Sequence, residues 1–202
     1  GMMGVKMKLG HEDPKIDIQR VTEVRKALGD DIWIATDANQ KWDYPTAMMV
    51  GRELEQLNVA WFEEPLWCDD IPGHARLADD LDIPIAMGET LGSRYEFDAY
   101  IRADAADILQ PDICRVGGIT EMIKIVHMGQ VAGRPIAPHH MMESTIQVAC
   151  GVMSSGPIEY MPWVSGAFSE PMRIEDGQMF PPQKPGLGLE IPKGVIKKYR
   201  IE

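Results

Sequence analysis

Apolar residues along the chain alternate between short runs typical of strands and longer segments in which they recur at helical spacing. The predicted strands are Gly4–Lys8, Ile32–Thr36, Val59–Phe62, Ile83–Met87, Ile108–Pro111, Pro135–Pro138 and Pro157–Tyr160. The predicted helices between them are Lys15–Leu28, Pro45–Leu57, Gly73–Asp80, Ser93–Ala103 and Thr120–Ala132. A strand followed by a helix, repeated at nearly regular intervals, predicts βα units and a parallel sheet.

The number of repeats favours a closed barrel over an open sheet. At least six βα units follow one another, as in a TIM-type (β/α) barrel, although such a barrel usually takes about 250 residues. This chain has 202 residues and begins directly on a strand, so we expect it to be truncated on its N-terminal side. The predicted fold class is α/β.

The last part of the chain has a different composition. After Trp163 the sequence is rich in Pro and Gly and shows no helical period. Asp176–Gly177, between two runs that contain apolar residues, predicts a β-hairpin, and we expect an extended tail to follow it. We therefore predict a barrel over residues 1–165 and a C-terminal segment over residues 166–202.

Ionisable residues follow nearly every predicted strand. They are Asp37, Glu63 with Glu64, Glu89, Asp112, His139 with His140, and Glu159. In a parallel barrel the carboxyl ends of all strands lie on one rim, where barrel enzymes carry their chemistry. One acid after one strand is uninformative because loops are polar, but the recurrence predicts a functional site on this rim.

Three of these acids predict a metal site. Asp37, Glu63 and Glu89 are separated by equal intervals of 26 residues and would converge on one point. Three carboxylates that close repel one another unless a cation lies between them, and oxygen ligands suit Mg²⁺. A set of helix N-caps and salt bridges is the alternative interpretation, and the equal spacing counts against it.

The first predicted strand contains two lysines. Lys6 and Lys8 are two residues apart, so both point to the same face, where their ammonium groups repel each other. Taken alone, the stretch Gly4–Gly10 is most simply interpreted as an edge strand with a solvated basic face.

Taken together, these residues resemble a known family. The two lysines, the acids and the histidine at the strand ends, with the motifs DAN, WFEEP, MGE, QPDICRVGGIT and PGLGLE, resemble the mandelate racemase subgroup of the enolase superfamily. The resemblance extends from the first residues to about Pro192. Each motif is weak by itself, but together and in order they make a specific match.

The resemblance implies a TIM-type (β/α)7β barrel that lacks its first strand in this chain, with strands two to eight in residues 1–165. It also implies an N-terminal α+β capping domain, absent here, whose loops close over the barrel. Residues 166–202 would pack on that domain. We expect the capping domain to be missing from this chain rather than from the protein.

The resemblance further implies a Mg²⁺-dependent abstraction of the proton alpha to a carboxylate, giving an enediolate held by the metal. By analogy, Lys8 is the base on one face of the substrate. Lys6 would make Lys8 easier to deprotonate and would help to bind the substrate carboxylate. His139, oriented by Asp112, would act as acid or base on the opposite face. Glu159 would lie near the enediolate oxygen and donate a hydrogen bond if protonated.

Adjacent pairs of similar residues leave some assignments open. Glu63 and Glu64 point to opposite faces of a strand, so only one can bind a metal; the spacing favours Glu63, and Glu64 could contact a neighbouring strand instead. Between His139 and His140 we favour His139. Asn39 shares a face with the first of the three acids and could touch metal or substrate, although a role in the turn is about equally compatible.

The predicted reaction is dehydration of a polyhydroxy (sugar) acid to a 2-keto-3-deoxy acid, because dehydratases are the commoner family members with this residue set. Racemisation or epimerisation of a 2-hydroxy acid is compatible with bases on both faces, and cycloisomerisation of a lactone is a third possibility. A non-catalytic barrel scaffold is disfavoured, since a scaffold does not need paired ammonium groups.

Composition narrows the choice of partners. The net charge of −11 argues against nucleic acid or an anionic membrane as the main binding partner. It is compatible with a small anionic substrate, because a bound metal cation would reverse the sign of the local electric field. The apolar runs are shorter than the roughly 20 residues that span a bilayer. Cys68, Cys114 and Cys150 lie far apart in the sequence, which argues against a disulfide framework or a zinc site formed from them. We therefore expect the three cysteines to be small core residues, and the protein to be cytoplasmic, where thiols stay reduced. We also expect a homo-oligomer.

Overall fold

The computed structural model describes residues 1–153 and 156–201. Its parallel strands are β1 (Gly4–Lys8), β2 (Trp33–Asp37), β3 (Phe62–Glu63), β4 (Ile85–Met87) and β5 (Ile108–Leu109). The helices that connect or follow them are α1 (Pro14–Leu28), α2 (Tyr44–Gln56), α3 (Ile71–Asp80), α4 (Arg94–Arg102), α5 (Ile119–Val131) and α6 (Met142–Val152). The alternation of strand and helix predicted from the sequence is therefore confirmed over the first five units.

The first three helices begin at signals that are local in the sequence. Asp13, Asp43 and Asp70 each precede a helix and accept a hydrogen bond from a backbone N–H of its first turn, and each helix has a proline near its start. Such caps satisfy backbone donors that have no partner within the helix. These signals explain why the observed helix starts agree with the predicted ones to within two residues.

Within the described ranges, the five strands form one parallel sheet in the order β1-β2-β3-β4-β5, so each strand lies beside its predecessor in the chain. The register pairs Lys8 with Asp37 and Asp37 with Glu63. Beyond β5, Ile136 forms a single parallel bridge with Leu109. This order, with a helix between successive strands, is that of a (β/α) barrel.

The last predicted strand is not observed. Pro157–Tyr160 is described as irregular chain without strand pairing to the other described residues. Pro157 has no N–H to donate to a ladder, so strand pairing in this segment could begin only at Ile158. The predicted strand at Pro135–Pro138 is likewise reduced to its bridge at Ile136.

The C-terminal segment contains more regular structure than expected. The predicted hairpin is confirmed as β6 (Arg173–Glu175) paired with β7 (Gln178–Phe180), and Asp176 and Gly177 between them have φ values of 48° and 74°. Positive φ at both positions is what a tight two-residue hairpin turn requires. A short 3-10 helix precedes this hairpin at Ser165–Ala167, and helix α7 (Lys193–Tyr199) follows it, so the prediction of an extended tail was wrong.

Strands β2, β3 and β4 are buried on both faces, whereas β1 is only partly buried. Ile34 and Ile85 are fully buried against the helices, whereas their neighbours Ala35 and Ala86 pack with Trp61 on the opposite face. Two-sided burial is the usual state of a parallel sheet covered by helices.

The prediction that all three cysteines are small core residues was wrong for Cys114 and Cys150, which are exposed. Cys68 is partly buried. Among the described helices, none is long and apolar enough to cross a membrane.

Candidate functional site

Three carboxylates meet at the carboxyl ends of neighbouring strands. Asp37 is the last residue of β2, Glu63 is the last residue of β3, and Glu89 follows β4 by two residues. An oxygen from each lies within 4.8 Å of an oxygen from both others. Asp37 and Glu63 are fully buried, and the Glu89 side chain is 12% exposed. The parallel register explains this convergence, because equivalent positions on adjacent strands lie side by side.

The two lysines of β1 both reach this cluster. Lys6 Nζ lies 2.8 Å from an oxygen of Glu63 and 2.9 Å from one of Glu159, and Lys8 forms an ion pair with Asp37. Each ammonium group therefore faces a carboxylate, which removes the unfavourable repulsion between two isolated lysines. Burial opposes the charge on Lys6, but Glu63 and Glu159 outweigh it and raise the pKa of Lys6 above its ordinary value.

A histidine reaches the cluster from the other side. His139 Nδ1 lies 2.8 Å from Asp112 Oδ2, and His139 Nε2 lies 3.3 Å from Glu89 Oε2. Burial lowers the pKa of His139, but the hydrogen bond with Asp112 and the charge of Glu89 give a net rise. Asp112 is itself held by the backbone N–H groups of Cys114 and Arg115, at 2.7 and 3.1 Å.

The pKa of the Asp112 carboxyl is lowered. Burial acts against this shift, and the hydrogen bonds from His139 and from the two backbone N–H groups outweigh it. An ionised Asp112 accepts a hydrogen bond from His139 Nδ1 and so orients Nε2 towards the three carboxylates. The adjacent His140 has a different environment, in which its ring lies against Trp163 with 5.1 Å between ring centroids.

Glu159 accepts hydrogen bonds in this structure. Lys6 contacts one oxygen, and the backbone N–H of His140 donates to the other at 2.9 Å. Burial raises the pKa of Glu159, but Lys6 and the hydrogen bonds lower it overall. The prediction that a protonated Glu159 donates a hydrogen bond is therefore not supported by these contacts, which favour the carboxylate.

Asn39 connects two of the carboxylates. Its backbone N–H donates to Asp37 Oδ1 at 2.8 Å, and its side-chain amide donates to Glu89 Oε1 at 3.3 Å. It also occupies a turn position with φ of 43°, so the turn role is present, and contact with metal or substrate stays a prediction. The structure thus brings all the predicted site residues into one contact network; they are Lys6, Lys8, Asp37, Asn39, Glu63, Glu89, Asp112, His139 and Glu159.

Two residues of the site were missed from the sequence. Gln110 Nε2 and Trp61 Nε1 both donate to Glu63 Oε2, at 2.7 and 3.2 Å. Trp61 precedes Glu63 by two residues, and Gln110 precedes Asp112 by two, so strand alternation could have placed each on the same face as a predicted residue. Glu63 is consequently the most heavily hydrogen-bonded of the three carboxylates.

The three carboxylates suit a hard divalent cation. Their ligand oxygens lie within 4.8 Å of one another, close to the roughly 4.2 Å that separates opposite ligands of one Mg²⁺. Glu89 Oε2 is buried and, among the residues that the structure describes, accepts no hydrogen bond of good geometry, although His139 Nε2 lies 3.3 Å away. Burial raises the pKa of Glu63, and Lys6 only partly opposes that rise. A cation would relieve both conditions, because it binds the charged form of each carboxylate.

A cavity of about 540 Å³ opens beside the two lysines. Lys6, Lys8, Glu159 and Gln110 provide polar groups along its lining, and Trp33 and Trp61 provide apolar ones. The three carboxylates and His139 are not among the lining residues of this cavity, so it adjoins the cluster on the side of the lysines.

The fold and the site together define a class of protein: a (β/α) barrel with a candidate divalent-cation site of three carboxylates, between a lysine pair and a histidine–aspartate pair. The chain belongs to the family described as enolase C-terminal domain-like, which matches residues 1–195. The resemblance noted from the sequence and the TIM-type barrel class are thereby confirmed.

Relatives of known activity are similar over nearly the whole chain. L-talarate/galactarate dehydratase of Salmonella typhimurium is 42% identical over 95% of this chain and 48% of its own length. Arabinonate dehydratase of Saccharolobus solfataricus is 36% identical over 100% of this chain and 56% of its own. The crystal structure of L-talarate dehydratase from Polaromonas sp. JS666, complexed with Mg and L-glucarate, is 44% identical, with a TM-score of 0.94 over 100% of this chain and 56% of that one. The chain therefore spans about half the length of these relatives.

Proposed function

We propose that the protein catalyses a Mg²⁺-dependent abstraction of the proton alpha to a carboxylate, and that it dehydrates a sugar acid to a 2-keto-3-deoxy acid. One observation carries the proposal. The three carboxylates lie between two candidate proton-transfer groups, since Lys8 contacts the carboxylate of β2 and His139 contacts the one that follows β4. A metal site between two groups that can exchange protons is suited to chemistry at an acidic carbon.

In this proposal Asp37, Glu63 and Glu89 would hold the metal. The bound ion supplies positive charge that stabilises developing negative charge on the substrate carboxylate. Asn39 orients the first and third ligands through its two hydrogen bonds. Gln110 and Trp61, which donate to Glu63, orient the second.

The lysines take different roles. Lys8 has a half-exposed side chain (51%), and we assign its amine, in the deprotonated form, the role of base on one substrate face. Lys6 is only 13% exposed and is held by two carboxylates. We assign it to binding the substrate carboxylate, and Glu159 to holding its Nζ in place.

His139 serves the opposite face. Asp112 fixes the imidazole so that Nε2 points to the metal cluster, where it can donate a proton to the departing 3-hydroxyl group. A raised pKa keeps more of the imidazole protonated near neutral pH, as a general acid requires.

The relatives support the substrate class. Two similar proteins are named as dehydratases of sugar acids, and a similar crystal structure contains Mg and L-glucarate. We therefore propose Mg²⁺ as the cofactor and a small anionic sugar acid as the substrate. A cytoplasmic location, a homo-oligomeric assembly and the packing of residues 166–202 on a capping domain remain predictions.

The test is a screen of the protein with Mg²⁺ against a library of acid sugars, with 2-keto-3-deoxy acids as the measured product. We expect one or a few substrates to react, with activity abolished by EDTA and restored by Mg²⁺. Lys8→Ala and His139→Ala, each checked for retained secondary structure, are the matched inactive controls. If no acid sugar yields a 2-keto product, or if EDTA has no effect, the proposal is wrong.

A racemase or epimerase is the second candidate, because proton-transfer groups on both sides of the metal cluster also suit inversion at one carbon. The same library in D₂O separates the two reactions. A dehydratase yields a 2-keto product, whereas a racemase incorporates deuterium alpha to the carboxylate without loss of the 3-hydroxyl group.

A further inference from the structure

Glu64 is a fully buried glutamate immediately after the candidate ligand Glu63. Its carboxylate accepts one hydrogen bond from Thr90 Oγ1 at 2.7 Å and another from Gln40 Nε2 at 3.0 Å. Both oxygens are therefore used, and neither partner carries a charge. The role assigned above to the three-carboxylate cluster leaves this side chain unexplained.

The partners of Glu64 come from the loops that follow the neighbouring strands. Thr90 directly follows Glu89, in the loop after β4. Gln40 lies in the loop after β2, directly after Asn39, and its backbone N–H donates to the carbonyl oxygen of Glu64 at 2.8 Å. The Glu64 carboxylate thus connects the three loops that carry or adjoin the three candidate ligands.

The backbone at these positions needs such support. Asn39, Gln40 and Glu64 have φ values of 43°, 63° and 41°, a left-handed conformation that is unfavourable for residues other than glycine. Unusual backbone conformations persist when the surroundings over-determine them. Gln40 is fixed further by the backbone N–H of Cys68, which donates to its side-chain oxygen at 2.9 Å.

We propose that Glu64 is a positioning residue for the metal site: its carboxylate holds the loops after β2, β3 and β4 in the arrangement that brings Asp37, Glu63 and Glu89 together, without touching the metal itself. The inference rests on the metal site of the proposed function. Its physical content is geometric, since three ligands on three separate loops bind one ion tightly only if the loops are already in place.

The experiment measures metal affinity without substrate. Mg²⁺ binding by calorimetry and Mn²⁺ binding by electron paramagnetic resonance are compared for the wild type, Glu64→Ala, Glu64→Gln and Thr90→Val. We expect Glu64→Ala to weaken affinity about 10-fold to 100-fold, in the range typical of groups that orient metal ligands. Thr90→Val keeps the side-chain shape and removes one of the two hydrogen bonds, so its loss is smaller.

The conservative variant Glu64→Gln separates geometry from charge. A glutamine can accept from Gln40 and donate to Thr90 Oγ1, so both connections survive. We expect its affinity to stay within about threefold of the wild type, as expected when both hydrogen bonds are kept. If Glu64→Gln weakens binding as much as Glu64→Ala, the geometric inference is overturned.

Glu143→Ala is the matched control, because Glu143 is a second buried glutamate (2% exposed) whose carboxylate contacts Ser165 and none of the three loops. We expect this variant to lower the melting temperature but to keep the wild-type Mg²⁺ affinity. Equal loss of affinity in Glu143→Ala and Glu64→Ala would mean that any buried truncation loosens the site, which contradicts a specific role for Glu64.

Rescue by excess metal is the second readout. At saturating Mg²⁺ we expect Glu64→Ala to recover turnover, because the ligands themselves are unchanged. Wild-type Mg²⁺ affinity in Glu64→Ala overturns the inference. If Glu64→Ala does not fold, Thr90→Val takes its place, and wild-type Mg²⁺ affinity in that variant overturns the inference. A wild type that binds Mg²⁺ but does not dehydrate acid sugars refutes the proposed reaction and leaves this inference standing.

Discussion

The two halves of the barrel hold their parts of the candidate site by different means. In the first half, Asp37 and Glu63 end paired strands, and the backbone register alone sets them side by side. In the second half, beyond β5, pairing with the parallel sheet is reduced among the described residues to a single bridge between Leu109 and Ile136. There, the Asp112 carboxylate accepts hydrogen bonds that fix it and orient the His139 ring, beside a backbone hydrogen bond from His139 N–H to the Pro111 carbonyl at 3.2 Å.

This difference corresponds to the chemistry proposed for each half. Metal ligands need a fixed mutual distance, which the hydrogen-bonded parallel ladder provides for Asp37 and Glu63. A proton-transfer group needs a fixed ring orientation and a suitable pKa, which the Asp112 carboxylate provides for His139. The ladder supplies distance in one half, and the buried ion pair supplies orientation in the other.

The largest effect is expected from His139→Gln, which breaks the acid–base half while leaving the ladder intact. Turnover should fall by about 10²-fold to 10⁴-fold, the range typical of a lost general acid or base. Steady-state kinetics on the substrate found in the screen measure this. Mg²⁺ affinity by calorimetry serves as the control and should change little. A variant that keeps wild-type turnover would exclude His139 from the chemistry.

The next effect concerns stability. Ile85 in β4 is fully buried, so Ile85→Ala should lower the free energy of unfolding by about 2–5 kcal/mol through lost burial and a cavity. Ile158, in the irregular segment of the second half, is only partly buried, and Ile158→Ala should cost about 1 kcal/mol or less. Urea unfolding followed by circular dichroism gives both values. Equal losses would contradict the contrast between the two halves.

The metal ligands give a smaller and more specific effect. Asp37→Asn, Glu63→Gln and Glu89→Gln each remove one negative charge from a hard-cation site, so Mg²⁺ affinity should fall about 100-fold in each case. Calorimetry measures the affinity, and circular dichroism checks that the fold is retained. Asp112→Asn, which alters a carboxylate of the second half, is the control and should keep the wild-type Mg²⁺ affinity. Wild-type affinity in all three variants would remove the metal-site assignment.

The smallest effect is a pH dependence in the first half. His74 is fully buried, and burial lowers its pKa below the ordinary 6.5, although the carbonyl of Asp70 acts against this. The unfolded chain therefore binds a proton more readily than the folded one. The stability contributed by neutral His74 is present above pH 6.5 and is lost as the pH falls below it.

We expect the melting temperature to fall less between about pH 7 and pH 5 in His74→Gln than in the wild type, since glutamine does not titrate. Glutamine can also keep the hydrogen bond to the Asp70 carbonyl, which lies 2.9 Å from His74 Nδ1. Thermal unfolding at several pH values is the measurement. Identical pH profiles for the two proteins would show that His74 does not contribute.

The elements that the sequence predicted well are those set by local rules. Helix starts follow Asp caps and prolines, and the hairpin follows Asp176–Gly177. The predictions were wrong for Pro157–Tyr160 and for the tail, and helix α6 was not predicted. Helix α6 begins after His140 and Met141, two residues with left-handed φ and no side-chain cap, so its start carries no local signal.

The sequence by itself determined the order of strands and helices, and therefore which residues reach the rim of the barrel. Equal intervals between Asp37, Glu63 and Glu89 were sufficient for that, because each interval is one βα unit. Only the tertiary structure decided which contacts form on the rim. Lys6 meets Glu63, which is 57 residues away, and Glu64 joins the neighbouring loops instead of the metal cluster. Such partners depend on how neighbouring strands and their loops pack together, which no local pattern encodes.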